Sequence, residues 1–343
     1  MNAVLLIAGV VLLVVVLGLA YRIFNLVSIA KGDSSKRVGL SNSVNAILFP
    51  IVFTVGMGLF FWYSGVASEY YLPEAASKHG VRIDFIYWVT MGVVILVFVL
   101  VNFLLFFFAY KYRYNEERTA YFFYHSNKLE AIWTLVPTVV LSVLVFYGWS
   151  VWKEITSTPP EDSIVVEIMG KQFNWEVRYA GKDGSLGNYD FRKIDATNSM
   201  GVDFTDSNSF DDFMPREIHV PKGKNILLKI RARDVLHSVY MPHFRLKMDA
   251  VPGMKTQFWF IPTISTAEMR EKTGNPEFDY ELACTELCGT GHYAMRMVVV
   301  VDEPAEFDKW FSSQEPWAKK NAKYISSLDI EKPQNMALAS SED

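Results

Sequence analysis

The chain has 343 residues, 51% of them hydrophobic and 15% aromatic, with a formal net charge of −4. That is too apolar for an ordinary soluble domain and too mixed for a bundle of membrane helices alone. No basic block longer than a few residues occurs, which argues against nucleic acid as a partner.

Four long stretches contain no Asp, Glu, Lys or Arg: the N-terminus to Tyr21, Val38 to Ser68, Phe85 to Tyr110, and Ala131 to Trp152. A membrane-crossing helix needs roughly 20 such residues, because the hydrocarbon layer is about 30 Å thick and each residue rises about 1.5 Å. Four spans are therefore predicted. The first has no positive flank before it and no small-x-small cleavage signal, so it reads as a retained span and not as a signal peptide. Basic residues sit in the first connection (Arg22, Lys31, Lys36, Arg37) and the third (Lys111, Arg113, Arg118, Lys128). The middle connection offsets Lys78 and Arg82 with Glu69, Glu74 and Asp84. Positive loops stay inside, so the N-terminus and everything after Trp152 face outward, which in a bacterium is the periplasm. Trp62, Tyr63, Tyr70, Tyr71, Trp149 and Trp152 then fall at the outer interface.

After the linker "STPPED" the pattern changes. "SIVVEIMGKQFNWEVRYAG" alternates apolar and polar residues as a half-buried strand does, and "REIHVPKGKNILLKIRARDVLHSVYMP" reads as strand, turn at Pro221–Gly223, strand. "KTQFWFIP" and "HYAMRMVVVVDEP" give further strands, with no long amphipathic helix among them. A β-sandwich or barrel is the expected architecture. Gly181 to Phe213 reads as a polar insertion, and the residues from about Glu315 as a helix with a loose tail.

The only two cysteines lie in "CTELCGTGHYAM", as Cys284-x3-Cys288-x3-His292-x2-Met295. Thiolate, imidazole and thioether together favour copper over hard cations. One loop cannot close a coordination shell, and His237 in "DVLHSVYMPHF" is the obvious further ligand. A Cys284–Cys288 disulfide would close too small a loop to stabilise much, and would leave His292 and Met295 unexplained. Zinc suits methionine poorly, and a mononuclear blue-copper site needs one cysteine, not two. Two thiolates beside two imidazoles suit a pair of coppers bridged by both sulfurs.

These residues resemble the dinuclear copper domain of subunit II of haem-copper cytochrome c oxidases. The pattern C-x-E-x-C-x3-H-x2-M is complete as Cys284, Glu286, Cys288, His292 and Met295, and "DVLHS…P…LKMDAVPG" places His237 as the second imidazole. "GKQFNWEVRY" resembles the family's aromatic strand, and "EAIWTLVP" the start of the second helix of its membrane hairpin. The resemblance implies a membrane-anchored all-β chain: residues 1–64 as two extra N-terminal spans, 85–152 as the hairpin, 153–313 as a cupredoxin-like sandwich or barrel, and 314–343 as a helix and tail. It implies multi-pass placement in the bacterial inner membrane. It further implies that cytochrome c, or a tethered haem donor, gives electrons to a two-copper centre, which passes them to haem in subunit I. Oxygen reduction and proton pumping belong to that subunit and the others of the oxidase. Glu286 would give its carbonyl to copper and its carboxylate to a magnesium ion shared with subunit I, and Met295 would be a weak axial ligand. Glu130 matches the mouth of a proton-uptake path, Asp234 the donor-docking surface, and Asp249 the region of the haem propionates. No C-x-x-C-H occurs, so no haem is expected in this chain.

The departure lies where electrons would arrive. The family's Q-W-x-W is Gln172-Phe173-Asn174-Trp175 here, so Phe173 takes the receiving position and Trp175 the second, packing one. The two extra spans carry little polar chemistry and suit an assembly role. Against rival readings — a quinol-oxidase subunit, a copper-delivery module, a vestigial structural subunit — stands the complete ligand set.

Overall fold

The computed structural model describes residues 2–31, 40–115, 117–328 and 330. Lys36, Arg37 and the tail expected from 331 onward lie outside the described residues.

Four helices are long and apolar enough to cross a membrane: α1 (Asn2–Ala30), α2 (Leu40–Val66), α3 (Lys78–Lys111) and α4 (Asn127–Thr156). None buries its apolar window within the protein, as expected of side chains meant for lipid or for other subunits. Two compact units are distinguished, one comprising residues 1–72 and 91–134, the other 73–90 and 135–343. In the first, Phe49 and Phe53 of α2 close on Phe106 of α3, with ring centroids 4.4 and 4.5 Å apart.

In the second unit α3 begins earlier than its uncharged run, at Lys78, because its first turns pack under the β domain. The Ser77 hydroxyl donates to the Phe244 carbonyl at 2.7 Å. Arg245, the one non-glycine residue with positive φ among the described residues, makes a paired contact with Asp84 at 2.6 and 2.8 Å. At the far end of α4 the Trp259 indole donates to the Glu154 carbonyl at 2.8 Å, and Arg82 pairs with Glu154.

The β domain is a sandwich. One sheet has the order β2-β1-β4-β7, from Asn174–Tyr179, Ile164–Lys171, Ile226–Ala232 and Thr256–Phe260. The other has the order β3-β9-β8-β5-β6, from Ile218–Pro221, Arg296–Asp302, Tyr280–Cys284, His237–Met241 and Leu246–Ala250. β1 with β4 and β3 with β9 are parallel; the remaining pairs are antiparallel. Val166, Ile168, Leu228 and Phe258 from the first sheet meet Val220, Val239, Leu282 and Val299 from the second in one buried core.

The segment expected as one strand, "SIVVEIMGKQFNWEVRYAG", is a hairpin that turns at Gln172–Phe173. A short helix, α5 (Thr266–Thr273), starts with a capping box in which Ser265 and Glu268 satisfy each other's backbone N–H groups. α6 (Pro304–Ser312), α7 (Trp317–Lys320) and α8 (Ala322–Ser327) follow the last strand. The polar insertion has a small core of its own, in which Met200, Val202, Phe204 and Phe210 pack with Ala318 and Ile325. It is tied to β1 and β2 by a buried charge network: Glu167 binds Arg178 and Arg231, and Arg178 also binds Asp212 at 2.9 Å. Burial alone would raise the Glu167 carboxyl, but the two guanidinium groups outweigh it and hold it below its ordinary range.

Candidate metal centre

Strand ends position the site. β8 runs to Cys284, where the chain leaves the sheet, and β9 resumes at Arg296, so the intervening loop is pinned at both ends of one antiparallel pair. β5 begins at His237 and lies beside β8, with Val239 opposite Cys284. The backbone seals the loop: Cys284 N–H donates to the Met295 carbonyl at 3.1 Å, and Thr285 N–H to the Ser238 carbonyl at 3.2 Å. β1 passes directly beneath His237. A Cβ on Gly170 would lie 2.9 Å from two atoms of the imidazole ring, so only glycine fits there.

The donor atoms form a chain. His237 Nδ1 lies 3.9 Å from Cys284 Sγ, the two sulfurs are 3.9 Å apart, and Cys288 Sγ is 3.6 Å from His292 Nδ1. The Met295 thioether is 3.8 Å from Cys288 Sγ, and the Cys284 thiol donates to the Glu286 carbonyl at 3.2 Å. A disulfide has its sulfurs about 2.05 Å apart, so these thiols are free. The ligand atoms of His237, Cys284 and Cys288 lie within 4.8 Å of one another and all three residues are buried. Burial and the neighbouring Cys284 sulfur push the Cys288 thiol up to about 11, a cost that a coordinated cation reverses by taking the thiolate. Soft sulfur and imidazole donors at contact spacing fit copper.

The other side of His237 is also held: Nε2 lies 2.9 Å from Asp234 Oδ1. The opposite carboxylate oxygen accepts from the Gln172 backbone N–H at 2.8 Å. Burial would raise the Asp234 carboxyl, but these hydrogen bonds hold it below its usual range. The Gln172 side chain donates to the Cys288 carbonyl at 2.6 Å. Phe173 lays its ring against Gly289 and Gly291, where any Cβ would collide with it. Trp175 is buried, donates to the Met295 carbonyl at 3.4 Å, and stands edge-on to His237 at 5.9 Å.

The remaining candidates are distributed. Asp249 faces β5, where it accepts from Ser238, the neighbour of His237, at 2.7 Å. The Glu286 carboxylate has no hydrogen-bond partner among the described residues. Glu130 lies in the other compact unit, 2.9 Å from His125 Nδ1. His243 is packed edge-on by Phe278 and Tyr280, and burial pushes it down to about 4. Sequence reasoning gave Gln172 no function. Its tie to Cys288 joins residues far apart in the chain and leaves no local spacing to find it by.

Two family models match the chain: the transmembrane domain of cytochrome c oxidase subunit II over residues 65–151 and its periplasmic domain over residues 164–302. The chain belongs to the cytochrome c oxidase subunit II family. An alternative cytochrome c oxidase subunit 2 from Bradyrhizobium diazoefficiens is 33% identical over 280 residues, covering 79% of this chain and 92% of that one. The cytochrome c oxidase subunit 2 of Thermostichus vulcanus is 27% identical over 267 residues, covering 70% and 77%. Among solved structures, the periplasmic domain of subunit II of cytochrome oxidase of Bradyrhizobium japonicum is 25% identical, covers 46% of this chain and 96% of its own, and has a TM-score of 0.31. As a member of the subunit II family, this chain is a membrane-anchored component of an oxidoreductase, with a periplasmic domain that is the β-sandwich described above.

Proposed function

We propose that this subunit accepts electrons from cytochrome c, or from a tethered haem donor, at a two-copper centre and delivers them toward haem in subunit I. The observation that carries the reading is the donor chain itself: two free, buried thiols 3.9 Å apart, each with an imidazole nitrogen at 3.6–3.9 Å. When bound, a copper pair supplies a one-electron carrier whose charge is spread over both ions. His237, Cys284, Cys288 and His292 would hold it, with Met295 and the Glu286 carbonyl as weaker donors. Asp234 is the positioning residue for His237, since a carboxylate on the second ring nitrogen fixes the tautomer and the ring direction. The sandwich contributes rigidity: five of these six donors lie on a loop clamped by one β-ladder and the sixth, His237, on the adjacent strand.

The unpartnered Glu286 carboxylate supports a magnesium site shared with subunit I. Phe173, half-exposed against the ligand loop, receives the electron, and Trp175 packs behind it. Asp249 orders the turn next to His237 toward subunit I, and Glu130 opens the proton-uptake path at the inner face of the bacterial inner membrane. Residues 1–64 form the additional membrane region, 85–152 the hairpin, 153–313 the copper domain and 314–343 the helix and tail.

The test is a copper count with electron paramagnetic resonance on the assembled oxidase. Two coppers in this subunit, with hyperfine structure from one electron shared over both nuclei, are expected, and Cys288→Ser should abolish the shared signal. A single copper with localised hyperfine, or a Cys284–Cys288 disulfide in place of metal, would sink the reading.

A further inference from the structure

The side chains flanking the metal ligands share a property that ligation does not require. Leu287, beside Cys288, is 79% exposed, and Tyr293, beside His292, is 85% exposed. Leu236, beside His237, is 48% exposed, and Phe173 is 38% exposed while its ring covers Gly289 and Gly291. Apolar residues exposed singly are ordinary; several gathered around one site mark an interaction surface. A large, nearly bare tyrosine is the residue type that anchors protein contacts, and exposed apolar neighbours exclude water around it.

Charge narrows the partner. The segments that build the rim are 171–175, 233–237 and 284–295, and their charged residues are Lys171, Arg233, Asp234 and Glu286, two of each sign. Lys171 is paired with Glu176, and Asp234 is already engaged by the Gln172 N–H and by His237. Lys247 and Asp249 pair with each other at 3.2 Å. Among the described residues of these segments no carboxylate cluster remains free to attract a lysine-rich partner, and steering toward the rim needs an excess of one sign there.

We propose that this apolar, charge-balanced rim is the docking surface for the electron donor, and that the donor is a haem protein presenting an apolar, near-neutral face around its exposed haem edge. This rests on the electron-accepting reading above. Docking is then governed by fit of the apolar rim, with Leu287 and Tyr293 as anchors. Each encounter oxidises the donor haem by one electron, which passes to the site. Asp234 takes no part in attraction, because its carboxylate is spent on His237.

The experiment is stopped-flow reduction of the assembled oxidase by a lysine-rich c-type cytochrome and by the same cytochrome with its lysines acetylated. The acetylated form should react at least as fast, and its rate should change by less than about twofold between about 20 and about 300 mM salt. Leu287→Ser and Tyr293→Ser should lower the second-order rate constant about tenfold with both cytochromes. Copper content and reduction by hexaammineruthenium(II) should stay at parent values. A large preference for the basic cytochrome that disappears with salt would overturn the proposal. So would variants that slow copper loading while leaving the donor rate unchanged, since the rim would then serve a copper-delivery partner. A parent oxidase with two coppers and normal donor kinetics, but variants without effect, overturns the docking surface alone. A parent that hexaammineruthenium(II) cannot reduce overturns the electron-accepting reading as well.

Discussion

Gln172 touches both ligand segments at once. Its backbone N–H holds Asp234, which holds His237, and its side-chain amide holds the Cys288 carbonyl. Gln172→Leu keeps the volume and the backbone bond but leaves a part-buried carbonyl without its donor, a loss of about 1–2 kcal/mol. The Cys288–Gly291 loop should loosen, so copper loss to a chelator should speed up several-fold and the copper hyperfine pattern should broaden. Unchanged chelation kinetics would show that Phe173 alone secures the loop. The ligands themselves were legible from residue types and spacing, because metal chemistry writes itself into a short motif. Gln172, Gly170 and Ser238 were not, because each acts on a residue that only the fold brings near.

At the scale of elements, strand character in longer runs, such as β4 and β9, could be read from the sequence, while β1 and β2 were read as one strand because nothing local marks the turn at Gln172–Phe173. β6 and β8, each five residues long, could not. "LKMDA" and "YELAC" alternate too, but runs this short are made into strands by the neighbours they pair with: β6 lies along β5, and β8 between β5 and β9. α5 did carry a local signal, the Ser265-x2-Glu268 box, in a region where only strands were expected. The early start of α3 had no signal in hydropathy, since its extra turns hold His79, Arg82 and Asp84; tertiary pairing with Arg245 creates them. Asp84→Ala would leave the Arg245 guanidinium, 9% exposed, without its carboxylate. Removing one partner of such a pair costs about 2–4 kcal/mol, so the oxidase carrying this variant should be cleaved faster by protease between residues 73 and 84. Equal cleavage in variant and parent would show that Ser77 and Trp259 suffice.

For the whole β domain, stability should depend on pH in a direction set by a few buried groups. His219 on β3 lies between Asp302 at 2.7 Å and Glu217 at 3.0 Å and stacks on Trp310 at 4.3 Å. Burial would lower its imidazole, but the two carboxylates outweigh that and raise it above the ordinary 6.5. A raised histidine contributes fully below 6.5 and loses its contribution as pH climbs through the raised value. Asp212, pushed up to about 7 by burial, also loses stability between its ordinary 3.8 and 7 as pH rises. His243, pushed down to about 4, opposes it over nearly the same range, and Glu167 loses its contribution as pH falls below 4.5. The domain should be most stable in mildly acidic solution and should weaken above neutrality. In thermal melts of the oxidase, His219→Gln should flatten that alkaline decline; a parallel decline in both proteins would assign it to other groups.

The parallel pairing of β3 with β9 has a consequence in time. β9, which restarts the sheet after the ligand loop, is the last strand made, and it lies between β3 and β8. A growing chain can place its membrane helices early, but β3 has no ladder partner and the loop from Cys284 no second anchor until Arg296–Asp302 has crossed to the outer side. Pairings this distant in sequence form late and cooperatively. The ligand residues are therefore made before the strand that fixes them, and the loop that carries most of them gains its second anchor only with β9. The complete shell is set in one step, with the closing of the sandwich.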